Sequence, residues 1–355
     1  MTRRSRRIVS WACSRHRRRA LQNTVYRQAT PGDPGSLAKV TEPLSKVGPG
    51  DVLVRIRAAA LNARDLSVMR GRYPVAAKPG LSPLSDAAGE IVEIGEGVRR
   101  FSVGDKVVNS FYPQWFGGPL RDRPVQFSTT LDGWLSTYKV ISAESLSRMP
   151  EHMSFEEGAT LPCAGVTAWS ALSGIGAGDT VLTQGSGGVS LFAVQIARLC
   201  GARVIATTTS GHKANRLKEL GAEHVIDVRQ SPEWASAVKG LTGGKGVERV
   251  VEVGGPGTLQ QSIQAVRYHG QVSIIGALTI GRDQPQIDWT QLFFSQARYE
   301  CIGVGSRADL EDLIRVAVNH QLRPVIDSSY AFDDFDKAVA RLSGRDVFGK
   351  VVITH

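Results

Sequence analysis

Residues 179–209 read DTVLTQGSGGVSLFAVQIARLCGARVIATTT. The run Thr180 to Thr183 is short and apolar, as a buried strand is. Gly185, Gly187 and Gly188 follow as a cluster. Val189, Phe192, Val194, Ile196 and Leu199 then recur at mixed three- and four-residue spacing, which predicts a helix with a buried face. Gly201 closes that helix, and Arg203 to Thr208 predicts a second strand. A glycine turn between a strand and a helix lets backbone N–H groups reach a pyrophosphate, and the helix N-terminus adds partial positive charge. Gly185, Gly187, Gly188 and Val189 are therefore candidate cofactor-binding residues. Ser190 stands where the usual fingerprint has its third glycine.

Downstream, His224 to Val228, Arg249 to Val253 and Gln271 to Gly276 are further short apolar runs. Helices are predicted between them over Lys213 to Leu220, Pro232 to Leu241 and Pro256 to Tyr268. Alternating strands and helices predict an α/β fold with a doubly wound parallel sheet. The uncharged stretch Gly158 to Gly178 carries Pro162 and five glycines. That composition predicts a helix packed on the sheet rather than a membrane span.

Upstream, residues 23–150 read mainly as β structure. Asp51 to Ala58 alternates with period two, Glu90 to Ile94 and Lys106 to Asn109 are short strands, and Trp134 to Ile141 is another. Frequent turns among them suggest a barrel or a sandwich. Asn62 to Gly71 reads as a short helical or irregular segment. Phe111 to Thr130 is a long loop rich in Pro, Gly and aromatic residues, of the kind that covers a site. After Gly305 the pattern gives helices over Ala308 to His320 and Phe332 to Leu342, and strands over Pro324 to Tyr330 and Lys350 to Thr354.

The chain has 355 residues, 42% apolar and 21% charged, with a formal charge of +10. Eight arginines and no acid lie in residues 1–22; the remainder holds 35 basic against 33 acidic residues. The folded body is thus nearly neutral, and because no aromatic or fold-level support follows the arm, a nucleic-acid partner bound through it is not expected. The arm fits a mitochondrial transit peptide, a disordered basic arm or a start codon placed too early. Four scattered cysteines without a C-x-x-C imply a reduced intracellular protein, cytoplasmic or, given the arm, mitochondrial.

From about Asn23 onward the chain resembles the medium-chain dehydrogenase/reductase superfamily, in its zinc-independent, quinone-oxidoreductase-like and alcohol-dehydrogenase-like branch. The motifs are GDPGSL (32–37), GPGDVLVRIRAAALNARDL (48–66), GEIVEIGEGVRRFSVGDKVV (89–108), FEEGATLPCAGVTAW (155–169), QGSGGVSLFAVQIA (184–197), LKELGAEHVID (217–227) and FGKVVI (348–353). The resemblance implies a GroES-like β-barrel catalytic domain over 23–150 and a Rossmann domain over 151–305. It implies a return to the catalytic domain over 306–355, an active site in the cleft, and a homodimer or homotetramer. Zinc members carry a Cys where this chain has Asn62 and a His where it has Ser85; Cys163 alone matches a ligand position. One thiolate does not hold zinc, so no metal is expected.

An NAD enzyme places an acid at the end of the second strand. Thr208 stands there instead, followed by Ser210, Lys213 and Arg216, which suits the 2′-phosphate of NADP. Lys213 matches a position that contacts this phosphate in NADP-dependent relatives. Asn62, Asp65 and Tyr73 match positions near nicotinamide and substrate, and are the candidate catalytic residues. Asp65 reads equally well as a helix cap. Gly276 and Lys350 complete the candidate cofactor set, with an edge-strand role open for Lys350. The expected activity is NADPH-dependent, zinc-independent hydride transfer to a small molecule: a quinone, enone or reactive carbonyl. The alternatives are an alcohol dehydrogenase for activated alcohols and a cofactor-binding protein without turnover.

Overall fold

A computed structural model describes residues 22–277, 286–344 and 346–355. The basic arm lies outside the described residues except for Gln22. β1 (Gln22–Gln28) and β2 (Leu37–Pro43) pair antiparallel. β3 (Asp51–Leu61) then runs three residues past the alternating stretch. The reason is burial on both faces. Ala58 and Ala60 pack into the core shared with the Rossmann helices, whereas Ala59 and Leu61 pack into the barrel interior. Small residues alone let two cores approach one strand so closely.

Asn62 leads into α1 (Ala63–Met69), and β4 (Asp86–Ile94), β5 (Lys106–Asn109), β6 (Tyr138–Ser142) and β7 (Leu146–Arg148) complete this half. The strand expected over Trp134 to Ile141 begins only at Tyr138. Trp134 instead donates its N–H to the Pro83 and Leu84 carbonyls, at 2.9 and 2.8 Å. Its buried ring packs on Phe127, with centroids 5.3 Å apart.

The uncharged stretch is not one helix. α2 (Phe155–Gly158) is followed by a wide turn over Leu161–Gly165 and then by α3 (Val166–Ala171). Pro162 removes a backbone donor from that turn, and the Thr167 hydroxyl donates to the Cys163 carbonyl at 2.6 Å. No helix among the described residues is long and apolar enough to cross a membrane.

The second half follows the expected alternation: β8 (Thr180–Gln184), α4 (Gly188–Leu199), β9 (Arg203–Thr208), α5 (Ala214–Leu220), β10 (His224–Asp227), α6 (Trp234–Leu241), β11 (Val247–Glu252), α7 (Pro256–Ala265), β12 (Val266–Ile274), α8 (Trp289–Ser295) and β13 (Arg298–Cys301). The strands form a parallel sheet in the order β10-β9-β8-β11-β12-β13. α7 stops three residues short of the predicted Tyr268, because the β-branched Val266 opens a longer strand. Helices α3, α4 and α5 share one core face of the sheet; α6 and α7 share the other.

α9 (Arg307–His320) packs on the α3 side, and β14 (Ile326–Ala331), α10 (Phe335–Ser343) and β15 (Lys350–Thr354) end the chain. β15 pairs antiparallel with β3 and parallel with β14, in a sheet ordered β14-β15-β3-β4-β5-β7. It is therefore an interior strand, not the edge strand that the lysine pattern left open. The lead-in to β15 lies against the glycine turn: Gly349 donates its N–H to the Ser186 carbonyl at 3.0 Å. The Ser186 hydroxyl donates to the Val347 carbonyl at 3.1 Å. This seam brings cofactor turn and catalytic sheet together.

Candidate active site

The glycine turn closes β8 and opens α4. Ser190, in the third glycine's place, donates its hydroxyl to the Gln184 carbonyl at 2.6 Å and so braces the turn. A Cβ added at Gly185 or Gly187 would meet no protein atom within 4 Å. The space beside Gly185 and Gly187 is thus open at the start of α4, and Val189 there is half-buried. That is the cradle a pyrophosphate needs. Gly188 is different: its Cβ would lie 2.6 Å from Cδ of Lys350. Glycine is required there because the lysine stem passes over it.

Lys350, 3% exposed, crosses this seam into the catalytic half. Its ammonium donates to the Leu61 carbonyl at 2.6 Å and to Asn62 Oδ1 at 2.5 Å. Asn62 Nδ2 in turn donates to Asp86 Oδ2 at 2.9 Å and to Ser85 Oγ at 3.4 Å. Ser85 donates to Asp86 Oδ1 at 2.9 Å, and the Cys163 N–H donates to Asp86 Oδ2 at 3.2 Å. Asp86, fully buried, is the hub of this group. Burial lifts its carboxyl to about 6, against the opposing pull of Lys350 and Asn62. Burial also pushes the Cys163 thiol well above its ordinary value.

Asn62, Ser85 and Cys163, the three positions where relatives carry zinc ligands, thus converge. Their donor set is an amide, a hydroxyl and a protonated thiol, with a lysine ammonium already on the amide oxygen. A dication would face a fixed cation without its usual N, S and O ligands. These residues do not fit zinc. Both amide protons of Asn62 are engaged, so it braces the site rather than pointing a free donor into the cleft. Asp65 closes the first turn of α1. It is fully buried and accepts the Asn62 N–H at 2.8 Å, as a capping carboxylate does. Burial raises its pKa, with Arg64, 3.5 Å away, pulling the other way.

Tyr73 belongs to a neighbouring group. The buried Arg64 guanidinium lies 4.8 Å from the Tyr73 ring and 4.9 Å from the Phe111 ring. It donates to Gln126 Oε1 at 3.0 Å, and the Tyr73 hydroxyl reaches the same oxygen at 3.4 Å. Tyr112 stacks edge-on against Phe111, and burial pushes its phenol up to about 12. Phe111, Tyr112 and Gln126 all come from the aromatic loop, which packs onto this side of the site. No hydrogen bond joins Tyr73 to Asn62 among the described residues.

At the far end of the turn, Thr208 ends β9 and accepts the Ser210 N–H at 3.1 Å. Ser210 Oγ lies 2.8 Å from His212 Nδ1. Lys213, 4% exposed, donates to the Val347 carbonyl at 3.0 Å and lies 3.4 Å from Asp346 Oδ1. Arg216 stacks on Phe348, 3.8 Å from the ring centroid. Gly276 follows β12 at the carboxyl ends of the strands and donates its N–H to the Glu252 carbonyl at 3.0 Å. A Cβ there would lie 2.4 Å from the Gly255 nitrogen, so only glycine closes this rim.

Asp86, Arg64, Gln126, His212 and Asp346 were not candidates on sequence. Asp86 had a signal, since it directly follows the non-ligand Ser85. Arg64 and His212 sit beside candidates in the chain, whereas Gln126 and Asp346 come in on segments distant from the residues they meet.

A Rossmann sheet whose glycine turn faces a GroES-like half defines a two-domain, dinucleotide-dependent oxidoreductase. A family model described as "Alcohol dehydrogenase GroES-like domain" matches residues 48–151, and one described as "Zinc-binding dehydrogenase" matches 188–319. The chain belongs to the medium-chain dehydrogenase/reductase superfamily. It is 38% identical to a zinc-type alcohol dehydrogenase-like protein of Schizosaccharomyces pombe, over 87% of this chain and 92% of that one. It is 31% identical to the chloroplastic quinone-oxidoreductase QR1 of Triphysaria versicolor, over 94% and 98%. A crystal structure of an NAD-dependent alcohol dehydrogenase superposes with a TM-score of 0.84 at 31% identity, over 94% and 99%. The chain is an oxidoreductase like the alcohol dehydrogenases and quinone oxidoreductases, and the family uses a nicotinamide cofactor.

Proposed function

We propose that this chain transfers a hydride, without zinc, between NADP(H) and a quinone, an enone or a reactive carbonyl. The observation that carries the proposal is the buried Lys350 ammonium on Asn62, where relatives place a metal ligand. A plain alcohol must lose a proton whose pKa lies far above neutrality, and zinc solves this as a Lewis acid. An acceptor that spreads its own charge avoids the difficulty. Hydride at the β-carbon of an enone leaves an enolate, which then takes one proton at the α-carbon.

The dinucleotide, when bound, supplies the hydride. Residues of this chain do the rest. Gly185, Gly187 and the start of α4 receive the pyrophosphate. Lys350 holds a fixed positive charge in a dry setting, and one preorganised donor to a developing oxyanion is worth about 3 kcal/mol. Asp86 and Asn62 keep that ammonium in place. The Tyr73 hydroxyl, with a long contact to Gln126 and the Arg64 guanidinium beside it, is the group placed to return the proton.

NADPH is preferred over NADH in this reading, because Thr208 offers no acid and Ser210, His212 and Lys213 offer a basic pocket. The chain works as a homo-oligomer inside the cell. The NAD-dependent neighbour favours a second reading, oxidation of activated alcohols by the same site.

The test follows NADPH absorbance with quinones, enones, aldehydes and alcohols, with and without a chelator. Turnover of the first three that survives the chelator is expected. Stoichiometric zinc in the purified protein, with activity abolished by the chelator, would overturn the proposal. Turnover of unactivated alcohols alone would do the same.

A further inference from the structure

The basic pocket after β9 is not open. Asp346, from the lead-in to β15, reaches into it from 133 positions along the chain. Its Oδ1 lies 3.0 Å from His212 Nε2 and 3.4 Å from the buried Lys213 ammonium. Its backbone is held at its own carbonyl and the next: Arg341 donates to the Asp346 carbonyl at 3.0 Å, and the Val347 carbonyl accepts from Lys213 and Ser186. The Asp346 side chain is about two-thirds exposed. It can rotate away while its backbone stays.

We infer that Asp346 is a specificity-determining residue that sits in the place of the cofactor's 2′-phosphate and tempers the preference for NADPH. This rests on the proposed use of Lys213 for that phosphate. A second anion arriving at Lys213 and His212 must either displace the carboxylate or bind beside it against like-charge repulsion. NADH carries hydroxyls at the same position and meets no such penalty. The end of β9 lacks the acid that would reject the phosphate; the returning segment supplies one from elsewhere in the chain. Lys213 holds the Asp346 carboxyl below its usual range, so the opposing charge is present at neutral pH.

The experiment measures dissociation constants for NADPH and NADH by fluorescence titration at low salt, in wild type, Asp346→Asn, Lys213→Ala and the double variant. Asp346→Asn should tighten NADPH about five- to tenfold, the size of a partly screened charge contact. NADH should move less than twofold. In the Lys213→Ala background the gain on NADPH should shrink to twofold or less. The inference is overturned if Asp346→Asn weakens NADH, which would make the carboxylate an acceptor for ribose hydroxyls. It is equally overturned if NADPH affinity does not rise, or if the gain survives loss of Lys213. A wild-type preference for NADH would count against the proposed cofactor choice, yet the effect of Asp346→Asn on NADPH would still be readable.

Discussion

Two residues carry charges whose surroundings set measurable behaviour. Burial lifts the Asp86 carboxyl from 3.8 to about 6. The folded chain therefore holds this proton more tightly than the unfolded one. The stability that comes with the neutral form is full below about pH 4 and is lost as the pH rises through about 6. Asp86→Asn stays neutral throughout. Its unfolding free energy, relative to wild type, should improve by about 2 kcal/mol between pH 4 and pH 7, most of the shift from 3.8 to about 6 at about 1.36 kcal/mol per unit. Denaturant titrations at both pH values check this, and a pH-independent difference would refute it. Turnover should fall in the same variant, since the Lys350–Asn62 pair loses its anchor. Lys213→Ala should weaken NADPH tenfold or more and leave NADH nearly unchanged, because a charge-assisted phosphate contact is worth about 1.5–3 kcal/mol. Equal losses for both cofactors would remove the phosphate role.

The turn between β8 and α4 separates two kinds of glycine. Gly187 has a negative φ that alanine adopts without strain, and a Cβ there meets open space. Gly187→Ala should keep its melting temperature yet bind dinucleotide at least tenfold more weakly, because the new methyl fills the cradle. Gly188→Ala drives a Cβ into the Lys350 stem. Overpacking of this kind costs about 1–3 kcal/mol, so its melting temperature should drop together with turnover. Equal melting temperatures for the two variants would contradict the account of the seam.

For the molecule as a whole, α8 presents an apolar face with no cover among the described residues. Trp289, Phe293 and Phe294 are 76, 65 and 67% exposed, beside the edge strand β13. Exposed patches of large apolar residues mark association sites, which agrees with the proposed homo-oligomer. The double variant Trp289→Asp, Phe294→Asp should shift the species seen by light scattering to lower mass. An unchanged mass would place self-association elsewhere. A chain lacking residues 1–21 should keep both its melting temperature and its turnover, since β1 begins only at Gln22. A large loss of either would give the arm a part in the folded protein.

The strand–glycine–helix unit at 179–209 was legible because its physics is local. Periodicity places the buried face, and a glycine turn needs no distant partner to declare itself. The same holds for the strand alternation that follows and for β15, whose bounds match the apolar run Lys350 to Thr354. The local pattern fails where tertiary contacts override it: at the early start of β12, at the broken helix around Pro162, and at Trp134, whose buried ring packs on Phe127. The candidate site divides in the same way. Glycines and the missing zinc ligands could be read from residue identity at known spacings. The engagement of Asn62 by Lys350 and Asp86, and the entry of Asp346 into the phosphate pocket, join residues 288, 24 and 133 positions apart. A hydrogen bond over such separations leaves no periodic trace in the chain, so only the folded arrangement decides it.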